Sequence, residues 1–402
     1  MKKIMEVKPK IESFARIKVL GIGGSGTNAV NRMSELGIKG VEFIAINTDA
    51  QALHNNQADV KVHIGKNITK GLGSGMNPDL GRQAAEESIE ELEEVVDNAD
   101  MIFITCGLGG GTGTGASPIV AELAKNKGVL TVAVVTRPFS FEGSKRKEVS
   151  EAGYDNLKDK VDAIIAIHND RILQIIDKKT SLIDAFKTVD EVLRQGISGI
   201  SDLITTHGIV NADFADVKAI MQDAGSAMMG IGRASGETRA AEAARLAVSS
   251  PLLDMSLDGA KGVLFNITGG RDLGMFEIDE AAKVITKNID PDAKVKFGAV
   301  VDESLGDEIR ITVIATGFDS ASRSGMMASF DEPKKSFLNT NIFSSQQPKS
   351  EPAPAPEVRR PLFNPQPAQP KPSVQSMPSS SALKTDESDE LEIPAFIRKK
   401  MK

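Results

Sequence analysis

Residues 101–115 read Met101-Ile102-Phe103-Ile104-Thr105-Cys106-Gly107-Leu108-Gly109-Gly110-Gly111-Thr112-Gly113-Thr114-Gly115. An apolar run of strand character ends in glycines and reopens as a predicted helix over 116–125, where Ser117-Pro118 supplies a helix start. Five glycines in the seven residues 109–115 are too many to be there for packing. A strand that passes through glycines into a helix brings bare backbone N–H groups and a positive helix end together, an arrangement suited to a phosphate chain. The alternative is a flexible turn.

A chain of 402 residues, 40% of them hydrophobic, has room for two ordinary domains and a tail. Its net charge of −7 argues against nucleic acid as a partner. Cys106 is the single cysteine, so no disulfide or zinc framework can form, and its place in an apolar strand reads as a small buried hydrophobe in a reducing compartment. Residues 1–10 are charged and lack the apolar centre of a signal peptide, and no stretch approaches 18 uninterrupted apolar residues. The expectation is a soluble cytoplasmic protein.

Upstream of the central loop, a strand at 17–20 runs into Gly21-Ile22-Gly23-Gly24-Ser25-Gly26-Thr27-Asn28 and a helix over 29–36. This second glycine loop contains G-x-G-x-x-G, and the next strand, 41–46, ends at Asn47-Thr48-Asp49, so a nicotinamide-dependent enzyme is a competing reading. A Walker-type phosphate loop is disfavoured because neither glycine loop is followed by Lys-Ser or Lys-Thr. A strand at 60–64 leads to a third glycine-bearing loop, 69–81, and then to a helix over 81–98 with an acidic solvated face.

Downstream come a strand at 129–136, the stretch Arg137-Pro138-Phe139, and Glu142 with Arg146. A site without lysine in its glycine loops still needs positive charge. Arg146 supplies it and Glu142 accepts from a ribose hydroxyl, although the same pair also reads as a surface salt bridge. A strand at 161–167 ends at His168-Asn169-Asp170. Repeated strand–helix alternation indicates a parallel sheet with ligand loops at its carboxyl edge.

Residues 180–206 carry apolar side chains at helical spacing on more than one face, as a long helix buried between two domains would. After it, Asn211-Ala212-Asp213-Phe214-Ala215-Asp216 opens another helix; Asp213 and Asp216 share a face, and capping competes with water positioning or cation binding as their purpose. From 225 to 316 the pattern is a smaller α+β unit whose β-branched strands suggest antiparallel pairing. Beyond 318 the composition turns to Pro, Ser, Gln and Lys, with 12 of the 18 prolines there, as in a disordered linker. Residues 389–402 place Leu391, Ile393, Phe396 and Ile397 between acids and a basic end, as a partner-binding peptide would.

Taken together, these motifs resemble the tubulin-like GTPase family of bacterial cell division over residues 12–318 and the last fifteen. The resemblance implies a parallel-sheet α/β nucleotide-binding domain (1–179, with an N-terminal arm 1–14) joined by a central helix (180–206) to an α+β domain (207–318). A linker (319–388) and a terminal peptide (389–402) follow. It implies GTP/GDP and Mg²⁺ as cofactors, with no protein metal ligand. Gly24, Ser25, Gly26, Thr27, Asn28, Gly111, Thr112 and Gly113 would contact the phosphates, Glu142 and Arg146 the ribose and phosphate region, and Asn169 and Asp190 the guanine. Asn211, Asp213 and Asp216 would complete the active site of the next subunit.

The partners it implies are further copies of the chain in head-to-tail filaments, and division-ring and membrane-anchoring adaptors at the terminal peptide. Membrane contact would be indirect, in a ring at midcell. Helix geometry agrees with a shared site: Thr206 lies sixteen residues beyond Asp190, roughly 24 Å along one helix, so Asp213 is beyond reach of its own subunit's nucleotide. A heterologous contact that does not close gives an open filament.

Overall fold

The computed structural model describes residues 15–318, apart from 39, 178, 207, 254, 255 and 288. The predicted linker 319–388, the terminal peptide 389–402 and the arm 1–14 lie outside the described residues.

The first half runs β1 (Ile17–Ile22), α1 (Gly23–Glu35), β2 (Val41–Asn47), α2 (Ala50–His54), β3 (Val60–His63) and α3 (Lys66–Thr69). Then come α4 (Pro78–Glu87), α5 (Ile89–Val96), β4 (Met101–Gly107), α6 (Thr112–Asn126), β5 (Leu130–Arg137), α7 (Ser144–Lys158), β6 (Ala163–His168) and α8 (Asn169–Ile172). The second half consists of α9 (Leu182–Thr205), α10 (Phe214–Met221), β7 (Gly225–Ser235), α11 (Arg239–Val248), β8 (Gly262–Gly269), α12 (Met275–Thr286), β9 (Lys294–Val301) and β10 (Glu308–Thr316).

Strands β1 to β6 are parallel and lie in the order β3-β2-β1-β4-β5-β6. The order reverses between β1 and β4, and a ligand of such a sheet binds at that reversal, outside the carboxyl ends of the strands. Both glycine loops leave from there. Alternate residues of these strands enter opposite cores: Val19 and Phe103 pack with α1 and α9, whereas Leu20 and Ile104 pack with α4, α5 and α6. Burial on both faces explains their unbroken apolar runs.

Several local expectations change. Helix α1 begins at Gly23 and α6 at Thr112, so each glycine loop supplies the first turn of its helix instead of preceding it, and Pro118 lies inside α6. The predicted helix over 81–98 is two helices; Asn77 caps the first, and the chain breaks at Ser88, whose hydroxyl accepts the Gly65 N–H at 3.2 Å. In the second sheet region β10 is antiparallel to β7 and β8, but β8 and β9 are parallel, joined through α12. Strand β7 also pairs parallel with β6 at its start, so it belongs to both halves.

Helix α9 is about 36 Å long at 1.5 Å per residue. It crosses from the parallel sheet to the second half, and its two internal glycines mark the crossing. A Cβ on Gly199 would stand 2.8 Å from Thr312 Cγ2, and one on Gly196 3.0 Å from Met229 Sδ. They let the helix lie directly on the strands.

Candidate functional site

Two helix starts meet at the strand-order reversal. Neither α1 nor α6 has a side-chain cap, so their first-turn N–H groups are left for another acceptor. Gly23, at φ +73°, takes the chain from β1 into α1 in a single step, and a Cβ there would lie 2.7 Å from the Gly113 nitrogen. Gly26 is held equally closely, since its Cβ would lie 2.3 Å from the Thr105 carbonyl oxygen. Gly24, Ser25 and Asn28 face solvent, whereas Gly26, Thr27, Gly111, Thr112 and Gly113 are buried.

The two threonines offer backbone more than hydroxyl. Thr27 Oγ1 donates to the Gly23 carbonyl at 2.9 Å, and Thr112 Oγ1 is engaged by Thr48 Oγ1 at 2.6 Å and Ser74 Oγ at 2.8 Å. Packing does account for part of the glycine run, against expectation. A Cβ on Gly115 would lie 2.0 Å from the Pro78 carbonyl oxygen, and one on Gly111 2.2 Å from Ser74 Oγ, so α4 and its leading loop press on α6 where only glycine fits. Cys106 is fully buried beneath, and desolvation pushes its thiol up to about 11. It is chemically quiet.

One wall of the cradle is α7. A Cβ on Gly109 would stand 2.8 Å from the Arg146 carbonyl oxygen and 2.9 Å from Arg146 Cγ, so this arginine lies against the central loop. Its Nη1 pairs with Glu142 Oε2 at 2.8 Å while its Nε is buried without an acceptor. Glu142 Oε1 accepts the Phe139 N–H at 2.9 Å, and the carboxylate is only 14% exposed, which is too enclosed for a casual surface pair. Asn169 opens α8 at the end of β6, buried, with its Oδ1 unpartnered. A buried acceptor with no donor is costly unless a ligand supplies one.

Asp190, on α9, lies 3.6 Å from Arg32 Nε. Burial pushes its carboxyl up to about 6, with Arg32 pulling the other way. Arg32 is eight residues beyond Gly24 on α1, about 12 Å, so the helix spans from the cradle to the acid. Phe186, one turn before Asp190 and 42% exposed, meets Phe139 edge-on at 5.6 Å. Residue-by-residue reading missed Arg32 and Phe186; the i, i+4 spacing of Phe186 and Asp190 was the available signal. The structure thus brings the two glycine loops, Glu142 and Arg146 together, with Asp190 held through Arg32 at the far end of α1.

Asn211, Asp213 and Asp216 are elsewhere. They follow the far end of α9, whose last residue, Thr205, is about 22 Å beyond Asp190 along the axis. Asn211 Oδ1 accepts the Gly208 N–H at 2.8 Å. Asp213 caps α10, accepting the Asp216 N–H at 2.7 Å. Asp216 pairs with Lys296 Nζ at 2.8 Å. Among the described residues no group of three His, Cys, Asp or Glu could hold a metal. Among them, too, no helix is long and apolar enough to cross a membrane.

Comparison with known proteins gives the family. Residues 16–177 match the Tubulin/FtsZ family, GTPase domain, and residues 225–319 match the FtsZ family, C-terminal domain. Among solved structures, the empty FtsZ dimer of M. jannaschii is 46% identical with a TM-score of 0.74, over 76% of this chain and 89% of that one. The GDP-bound CetZ1 monomer from Haloferax volcanii is 21% identical with a TM-score of 0.66, over 77% of this chain and 96% of that one. The GTPγS-bound CetZ2 protofilament from the same organism is 19% identical with a TM-score of 0.64, over the same shares. The two CetZ proteins share the fold.

Proposed function

The chain belongs to the FtsZ family of tubulin-like GTPases, and from that membership we propose that it polymerises head to tail on binding GTP and hydrolyses the nucleotide between subunits. The filaments assemble the cytokinetic ring at midcell beneath the inner membrane. Residues 389–402 recruit division-ring and membrane-anchoring adaptors.

In this reading the first-turn amides of α1 and α6, contributed by Gly24 to Asn28 and Gly111 to Gly113, hold the phosphates. Arg146 adds positive charge beside them, and Glu142 accepts from the ribose. Asp190 and the unpartnered Oδ1 of Asn169 accept from the N–H edge of guanine, which adenine does not present in the same pattern. Phe186 offers the base an aromatic face. A Mg²⁺ ion brought with the nucleotide would supply further charge balance beside Arg146.

One observation supports the shared active site: the acids follow the far end of α9, whose last residue is about 22 Å along the axis from the base-reading Asp190 of the same subunit. Asp213 and Asp216 therefore serve the nucleotide of the neighbour, where they orient the attacking water. Sedimentation with GTP and with GDP, with phosphate release followed in parallel, tests this. Pelleting with GTP alone, together with turnover rising more than linearly with protein concentration, is the expected result. Turnover strictly proportional to concentration would overturn it.

A further inference from the structure

Lys296 stands on β9, and β9 is tied to the loop that carries the acids. The Ile209 N–H donates to the Ala299 carbonyl at 2.8 Å, and Val210 bridges to Ala299. Gly298 lies close under the end of α9, since a Cβ there would stand 2.1 Å from Leu203 Cδ2 and 3.3 Å from the Val210 carbonyl oxygen. The loop leading into α10 is therefore held by backbone hydrogen bonds to β9 three residues beyond Lys296. From β9, Lys296 Nζ reaches Asp216 Oδ1 at 2.8 Å, with the side chains 47% and 31% exposed. The hydrogen bond to Asp216, with the Coulomb fields of Asp216 and Asp213, raises the ammonium above the ordinary lysine range.

The two aspartates are oriented by different means. Asp213 is fixed by its own helix, since capping aims one oxygen at the Asp216 N–H. The Asp216 carboxylate, in the first turn of α10, is instead met from β9 by Lys296. We propose that Lys296 is a positioning residue for the hydrolysis carried out on the neighbouring subunit. It holds the Asp216 carboxylate in one orientation and offsets one of the two negative charges that this loop carries toward a triphosphate. A carboxylate free to rotate would spend only part of its time in reach of the water, and an uncompensated pair would be repelled by the phosphates it must approach. This inference rests on the reading of Asp216 as a group acting in trans.

The test compares Lys296→Met, Lys296→Arg, Asp216→Asn and the Lys296→Met/Asp216→Asn double variant in the full chain. Phosphate release is measured against protein concentration, so that turnover per polymerised subunit is read from the slope. GTP affinity is measured below the polymerisation threshold. Expected are a slope lowered roughly 3- to 10-fold in Lys296→Met, unchanged monomer GTP affinity, at least half of the slope restored in Lys296→Arg, and no further loss from Lys296→Met once Asp216 is Asn. If Asp216→Asn hydrolyses at the parent rate, the trans-acting reading of Asp216 fails. If Asp216→Asn loses turnover and Lys296→Met does not, or if Lys296→Met lowers it equally in both backgrounds, the reading of Lys296 alone is overturned. Lys296→Gln, checked for parent-like thermal unfolding, is the second variant should Lys296→Met fold poorly.

Discussion

Gly23 and Gly113 touch: the Gly113 nitrogen lies 2.7 Å from the point where a Cβ on Gly23 would stand, so the first turns of α1 and α6 are pressed together with no side chain between them. That contact converts two separate helix starts into one cradle. Each brings uncapped amides and a partial positive charge, and their sum faces the same space.

Gly23→Ala therefore strains φ +73° and drives a methyl into the backbone of the other helix. The expected cost is about 1–3 kcal/mol of stability and at least a tenfold loss of GTP affinity. Calorimetric unfolding and nucleotide titration check both. Gly128→Ala is the control, because Gly128 has the same φ of +73° and nothing lies within 4 Å of a Cβ there. Equal damage from the two variants would refute the role of the contact.

Nucleotide choice follows from Asp190. Its carboxyl, pushed up to about 6 by burial, is ionised at pH 7.5 and mostly protonated by pH 5. The protonated form loses an acceptor for the guanine edge, so GTP binding weakens as pH falls through 6, roughly tenfold between pH 7.5 and pH 5. Competition titrations should show GTP preferred over ATP at neutral pH and the preference shrinking in acid. In Asp190→Asn both the preference and its pH dependence should be gone, and a variant that retains either would contradict the assignment.

Asp213→Ala separates binding from turnover. Removing a helix cap costs about 1 kcal/mol, and the monomer's GTP affinity should be unchanged if the residue serves only the neighbour's nucleotide. Phosphate release should fall by at least tenfold even when polymer is present. Parent-rate hydrolysis, or loss of GTP binding in the monomer, would rule out a site shared between subunits.

The terminal peptide should be separable from the enzyme. In sequence, about 70 residues separate Leu391, Ile393, Phe396 and Ile397 from the end of the GTPase fold. Deleting residues 389–402 should leave pelleting and turnover near the parent values while removing recruitment to the membrane through adaptors. A midcell ring formed by the truncated protein in cells lacking the full-length copy would show the peptide to be dispensable.

Much of the cradle was legible from local pattern. Strand, glycine loop and helix are consecutive in the chain, and the chemistry of bare amides at a helix start depends on nothing distant. The same locality misled at the edges. The glycines of 109–115 read as a ligand feature alone, but Gly111 is also required by the loop that leads into α4 and Gly115 by α4 itself, more than twenty residues away in sequence. A close approach between helices leaves no mark on the sequence except the small residue itself.

Strand content and the long helix depend on periodicity within a few residues, and the sequence by itself determined them; for Asp213 it offered capping only as one of two readings. Only the tertiary structure decided which strands are neighbours. It set β8 parallel to β9, made β7 common to both halves, laid Arg146 against Gly109, and placed Lys296 on Asp216 across 80 positions of chain. The physical reason is that pairing and side-chain contact depend on distance in space. A folded chain sets that distance by burying apolar surface everywhere at once, and no window of neighbouring residues contains it.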